Sequence, residues 1–166
     1  MMDCIVDKQP RLCVGASAGG HLNQLIRLLE SAADWPFRPS FCVTTMDELA
    51  PQLRQYAPTH VLGECNRQHP LLAVRVLLKA IRLVATERPD VVVTTGALPL
   101  AMLCFAAKLT GSRVVWIDSI ANTERLSMSG FFVHLFADLV VVQWPELASK
   151  YINCGHQRHH QSWRQV

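Results

Sequence analysis

Residues 12–29 open with an apolar run, Leu12-Cys13-Val14, and pass through the small residues Gly15 to Gly20 to His21. Apolar positions then recur at helical spacing: Leu22, Leu25, Ile26, Leu28 and Leu29. A strand that turns through glycines straight into a helix is a βα unit, and it commits the chain to a layered α/β fold. The turn leaves the first N–H groups of the helix without intrahelical partners, at the positive end of its dipole. Small side chains let an anion approach those donors closely. The stretch therefore predicts a phosphate or diphosphate site at Ser17, Gly19 and Gly20, with His21 beside it.

The same alternation continues along the chain. Strands are expected at 12–17, 40–45, 60–62, 91–95, 114–118 and 139–143, several of them continuous Val-rich runs suited to parallel strands covered on both faces. Helices are expected at 20–32, 47–55, 71–86, 98–109, 131–136 and 145–151. This order predicts a Rossmann-like, doubly wound parallel α/β sheet in one domain over residues 11–151. Residues 1–10 read as an N-terminal extension. Residues 152–166 read as a polar, loose tail.

Half of the 166 residues are hydrophobic and 17% are charged, which suggests buried strands or an apolar surface kept for a partner or a membrane. A net charge of +3 is far from the bias of a nucleic-acid binder, and no nucleic-acid partner is expected. The six cysteines form no C-x-x-C pair. They read as reduced thiols, with Cys13 and Cys42 pointing into the packing of the sheet. The N-terminal M-M-D-C-I-V-D-K lacks the apolar stretch of a secretory signal. Residues 91–109 are nearly uncharged, but Gly96 and Pro99 break them. The remaining piece of about 13 residues makes roughly 20 Å of helix, short of a roughly 30 Å hydrocarbon core. A buried strand and a buried helix are expected there.

Three readings compete at the first turn. Gly15 to Gly19 matches the G-x-S-x-G nucleophile elbow, with Ser17 as nucleophile. The dinucleotide fingerprint fails at its second glycine, and no acidic residue closes the second strand. An anion cradle beside His21 uses every residue present. A tight turn without a ligand is the plain structural alternative. A second small-residue turn, Thr94-Thr95-Gly96-Ala97, should share the same sheet edge, so that two corners could hold two phosphates of one ligand. Asp118-Ser119 should line this cleft. Asp118 could bond a sugar hydroxyl, orient His21 or cap a helix. Glu124 and Arg125 lie in a polar loop that could be a mobile lid or hold a solvated ion pair. In the 71–86 helix, Arg75, Lys79 and Arg82 form one cationic stripe on an otherwise apolar surface, suited to an anionic membrane or a partner subunit. A core helix with a solvated face is the alternative. Cys154, His156, His159 and His160 match no closed zinc pattern, and no metal or other cofactor is expected.

These residues resemble the PssD-type and eukaryotic dolichol-pathway subunits that supply the N-terminal half of a split GT-B glycosyltransferase. The likeness is carried by G-A-S-A-G-G-H-L, P-D-V-V-V-T-T-G-A at 89–97 and A-K-L-T-G-S-R-V-V-W-I-D-S at 107–119. R-L-S-M-S-G at 125–130 and A-D-L-V-V-V-Q-W-P-E-L at 137–147 complete it, and the set runs in order over nearly all of residues 11–151. A more distant similarity reaches the acceptor-binding half of MurG.

The resemblance implies a subunit that binds a polyprenyl-diphosphate-linked saccharide at the membrane surface, peripheral on its cytoplasmic face. A partner subunit would supply most of the nucleotide-sugar site, and transfer from a UDP-sugar would proceed with inversion and without a metal. Gly19, Gly20 and Gly96 would shape the diphosphate-facing cleft, with Ser17, Thr95 and Ser119 as further substrate contacts. His21 and Asp118 are the catalytic candidates. Two departures stand out: many relatives carry Glu at the position of Asp118, and the eukaryotic members carry an N-terminal membrane anchor that is not seen here. The expected product is a surface or capsular polysaccharide. The rival readings are a serine hydrolase built on Ser17 and a non-catalytic scaffold for a partner transferase.

Overall fold

The computed structural model describes residues 9–32, 34, 38–65, 70–151 and 154–156. Among these, strands β1 (Leu12–Ala16), β2 (Phe41–Thr44), β3 (Thr59–Val61), β4 (Val91–Thr94), β5 (Arg113–Ile117), β6 (Leu139–Val142) and β7 (Cys154–His156) form one sheet. All six pairings are parallel, in the order β3-β2-β1-β4-β5-β6-β7. The helices are α1 (Gly20–Ser31), α2 (Ala50–Arg54), α3 (Pro70–Glu87), α4 (Leu98–Leu109), α5 (Met128–Val133) and α6 (Pro145–Ala148).

The expected doubly wound sheet is present. Leu12, Val14, Ala16, Cys42, Val93 and Ile117 meet Leu22, Leu25 and Leu53 on the face covered by α1 and α2. On the other face Cys13, Val43, Val92, Val114, Trp116 and Val140 pack against α3, α4, α5 and α6. Helix α4 buries most of its residues against the sheet, α3 and α5, and leaves Phe105 and Leu109 exposed on its outer face. No helix of the described residues is long and apolar enough to cross a membrane. Burial holds the thiols of Cys42 and Cys104 protonated, pushed up to about 11 and about 12, so they act as packing groups.

Several element limits differ from the sequence reading, each for a local reason. The expected 47–55 helix divides into a 3-10 turn at Asp47–Leu49 and α2, whose first turn holds Pro51. The ring cannot donate the N–H that would continue one α ladder. Helix α5 begins three residues before the expected 131, because the hydroxyl of Ser127 caps it by accepting from Gly130 N–H at 2.9 Å. Helix α6 ends at Ala148 rather than 151, and a tight bond from Lys150 N–H to Leu147 O, 3.1 Å, follows it. Within the stretch expected to be loose, Cys154–His156 forms the outer strand on β6. The rest of 152–166, with His159 and His160, lies outside the described residues.

Asp138 anchors the lower edge of the sheet. Its carboxylate accepts from Lys108 Nζ at 2.7 Å, Arg113 Nη1 at 2.9 Å and Val114 N–H at 2.8 Å. Burial alone would raise its pKa, but these bonds and the Lys108 charge together hold it down, at about 2. A depressed folded-state pKa contributes stability at pH values above the unfolded value, and this is lost as pH falls from about 4 to about 2. Asp138→Asn is therefore expected to cost no more than about 2 kcal/mol at neutral pH. It should also flatten the acid limb, which melting temperatures measured from pH 6 to pH 2 will show.

Candidate functional site

Parallel strands bring their C-terminal ends to one edge, so the turns after β1, β4 and β5 share it. β1 and β4 are neighbours, with Gly15 opposite Thr94. From this pair the strand order runs outward to β2 and β3 on one side and to β5, β6 and β7 on the other. The following helices, α1 and α4, lie on opposite faces of the sheet. The switch in strand order between them is where ligands settle in sheets of this kind, and the cleft at this edge is lined by α1 together with Ser119, Ile120 and Gln143.

Both helices reach this edge without a cap. No side chain bonds the N-terminus of α1 at Gly19 or of α4 at Ala97, and neither first turn carries an acidic residue. The first N–H groups of α1 and the positive dipole ends of both helices are offered to an anion, while Pro99 in the first turn of α4 carries no N–H. Gly19 takes φ 72° and ψ −133°, a conformation open to glycine and costly for other residues. Ala97 takes φ 70° although it carries a Cβ. Such a conformation costs about 1–3 kcal/mol and tends to persist at functional sites. A Cβ at Gly19 or Gly20 would meet no atom within 4 Å, so this corner is open.

His21 joins the two corners. Its ring lies against Gly96, where a Cβ would sit 2.6 Å from Nδ1 and 3.0 Å from Nε2. Nδ1 is buried and has no hydrogen-bond partner among the described residues. The carbonyl of His21 accepts from Thr95 Oγ1 at 2.7 Å, and Thr95 N–H donates to Gly15 O at 3.0 Å. Thr95 is fully buried and acts as a clasp between β4, β1 and α1. Ser17 is buried at the turn and bonds no histidine among the described residues, so the relay of a serine hydrolase is absent from them. Ser119 and Gly20 line one cleft of about 440 Å³, with Asn23, Gln24 and Arg27 on its α1 wall.

Asp118 does not point toward His21. It is 2% exposed, and its carboxylate accepts four bonds, none from His21. The donors are Trp116 Nε1 at 3.2 Å, Asn122 Nδ2 at 3.0 Å, and Ser127 through N–H at 3.0 Å and Oγ at 2.6 Å. Gly130 makes this possible, since a Cβ there would lie 2.7 Å from Asp118 Oδ1 and 3.0 Å from Trp116 Nε1. The expected role in orienting His21 is thus replaced by one in holding the 119–127 loop. That loop is not free at its other points either. Gln24 Nε2 donates to Asp118 O at 3.2 Å, Trp144 Nε1 to Ile120 O at 2.9 Å, and Lys150 Nζ to Glu124 O at 3.1 Å. The idea of a lid gives way to a pinned wall.

Sequence reasoning missed Trp116, Asn122, Ser127 and Gly130 as supports of this wall. One signal was available: Ser127 stands where a serine caps a helix, and Gly130 follows three residues later. On α3 the structure exposes Arg75, Lys79 and Arg82, as expected of a surface stripe. The helix buries only Val76, Ala80 and Val84 and leaves Leu71, Val74, Leu78 and Ile81 in solvent. Among the described residues no group of three His, Cys, Asp or Glu side chains could hold a metal.

This architecture is one lobe of the two-lobed GT-B fold. MurG of Acinetobacter baumannii superposes with a TM-score of 0.69 and 16% sequence identity, over 83% of this chain and 43% of that one. The chain thus spans less than half the length of that enzyme. The family model described as "Oligosaccharide biosynthesis protein Alg14 like" matches residues 61–158, and the chain belongs to this family. It is 26% identical over 166 residues to the UDP-N-acetylglucosamine transferase subunit ALG14 of Yarrowia lipolytica, covering 86% of this chain and 77% of that one. It is 25% identical over 178 residues to the Homo sapiens subunit of the same name, covering 90% and 82%. The expected likeness to a glycosyltransferase subunit is the one these relatives share, and none of those named here is of the PssD type.

Proposed function

We propose that the chain is the acceptor-binding, membrane-recruiting subunit of a heteromeric inverting glycosyltransferase. The enzyme transfers N-acetylglucosamine from its UDP donor to a polyprenyl-diphosphate-linked saccharide. One observation carries this reading: two uncapped helix N-termini on adjacent strands meet at one edge of the sheet, with the His21 imidazole between them. The donor is supported by the names of the relatives, each a UDP-N-acetylglucosamine transferase subunit. The family description, oligosaccharide biosynthesis, favours an oligosaccharide product over the surface or capsular polysaccharide expected from the sequence.

The amides of the α1 and α4 corners bind the diphosphate and hold the acceptor sugar at the mouth of the cleft. Its hydroxyl oxygen attacks the anomeric carbon of the donor as the bond from that carbon to the UDP oxygen breaks, which inverts the centre. The His21 imidazole takes the hydroxyl proton, and the partner stabilises the departing UDP. The name of the relatives, a transferase subunit, supports the need for a partner. Val115 and Val141 on the α1 side of the sheet are half-buried, and Leu139 is 40% exposed, a surface suited to a second chain. In the test, the chain and a catalytic partner are mixed with UDP-N-acetylglucosamine and a prenyl-diphosphate-linked N-acetylglucosamine. Turnover by the mixture and none by either chain supports the reading; full turnover by the partner alone removes it.

The outer face of α3 supports membrane recruitment. Its exposed apolar stripe, Leu71, Val74, Leu78 and Ile81, runs beside the cationic stripe of Arg75, Lys79 and Arg82, opposite the buried positions. Each cation near an anionic surface contributes about 1 kcal/mol. Replacing Arg75, Lys79 and Arg82 together by Glu should lower partitioning onto phosphatidylserine vesicles by about 100-fold. Unchanged co-sedimentation would count against this face.

A further inference from the structure

We propose that the groove beneath the N-terminal turn of α5 receives the first isoprene units of the lipid diphosphate, with Arg125 at its mouth. The inference rests on the acceptor reading above and assigns that acceptor's lipid a place. The groove encloses about 530 Å³. Its apolar wall is Leu126, Met128, Phe131 and Tyr151, and its polar wall is Asn122 and Ser127. Met128 and Phe131 are 66% and 55% exposed, unusual for side chains of their size. Arg125 also lines the groove. It is exposed and forms no hydrogen bond or ion pair among the described residues.

Position and rigidity give the groove its occupant. Thr94 lies opposite Trp116, so the turn that holds Gly96 and the turn that holds Asp118 leave neighbouring strands at the same edge. Strands of a sheet are roughly 5 Å apart. Asp118 holds both polar residues of the groove, Asn122 and Ser127, so the wall nearest the diphosphate corner is fixed before a ligand arrives. At its outer end, Phe131 is followed by Phe132, 45% exposed, which meets Phe105 with ring centroids 6.1 Å apart. Leu135, 68% exposed, continues this apolar surface. The path leads from an anion site, past a free guanidinium, along an apolar channel to the apolar outer surface. A prenyl diphosphate has the same order of chemistry: phosphates, then hydrocarbon, then bilayer. A peptide partner would need polar complements that the apolar wall does not offer.

The test uses the full chain and isothermal titration with geranyl diphosphate and with inorganic diphosphate. Geranyl diphosphate should bind roughly tenfold or more tightly than inorganic diphosphate. The double substitution Met128→Ser and Phe131→Ser should remove that advantage and leave inorganic diphosphate binding unchanged. Arg125→Ala should weaken both ligands about tenfold. All three side chains are exposed, so the variants keep the fold, which circular dichroism confirms. Equal affinities for the two ligands, or indifference to these substitutions while Gly96→Ala abolishes binding, would overturn the groove and leave the acceptor reading intact. Failure of either diphosphate to bind would remove both. If the double variant loses phosphatidylserine vesicle binding but keeps geranyl diphosphate, these residues belong to the membrane face and the groove assignment is wrong.

Discussion

Gly96→Ala is expected to lower turnover of the assembled transferase by about 100-fold, with a smaller effect on KM for the UDP-sugar than on KM for the acceptor. Two effects add at this position. The backbone sits at φ 129°, which an L side chain rarely adopts. The new Cβ would also strike the His21 ring. The backbone of His21 cannot yield, because its carbonyl accepts from Thr95 Oγ1 at 2.7 Å, so the ring itself is displaced. Both the anion corner and the base move with it. The strain also costs about 1–3 kcal/mol of stability, visible in the melting temperature. Gly20→Ala is the counterpart. Its Cβ meets nothing within 4 Å and its φ is ordinary, so stability should hold while acceptor binding weakens. A Gly96→Ala enzyme with unchanged acceptor kinetics would remove His21 and this corner from the mechanism.

Asp118→Ala is expected to destabilise the protein by on the order of 4 kcal/mol. It strands four donors, from Trp116, Asn122 and Ser127, and the Trp116 indole among them is fully buried. At this chain length that corresponds to a fall in melting temperature of roughly 10 °C. Asp118→Asn keeps one acceptor oxygen and turns the other position into a donor, so it should fall between the wild type and the alanine variant. A residue acting only through its charge on His21 would behave differently. Both variants would then keep the wild-type melting temperature and lose turnover alone. The pH profile separates the two further: a positioning carboxylate leaves its shape unchanged, whereas a group paired with the base displaces its limb.

The contrast between Gly96 and Asp118 shows where a sequence carries its own explanation. The corners after β1 and β4 were legible because each is local. A Val-rich or apolar run, a glycine and an apolar helix define the strand, the turn and the bare helix end within about a dozen residues. Their convergence followed from parallel topology, which the βα alternation implied. Helix α3 was legible for the same reason, since the stripes depend on spacing alone. The role of Asp118 was not local. Its donors come from β5, the following loop and the cap of α5, and only the folded chain brings them together. The outer strand β7 was missed because Asn153-Cys154-Gly155-His156 shows no apolar alternation. Its pairing with Val140, Val141 and Val142 is supplied by β6 rather than by its own sequence.

Backbone amides of two helix ends gripping one diphosphate are the centre of the proposed mechanism. The direct measurement is a nitrogen-15 amide titration of the full chain with geranyl diphosphate. The mechanism predicts saturable shifts concentrated at Gly19, Gly20, His21, Gly96 and Ala97, lost together in Gly96→Ala. Shifts confined to other surfaces, or none at these five amides, would contradict it.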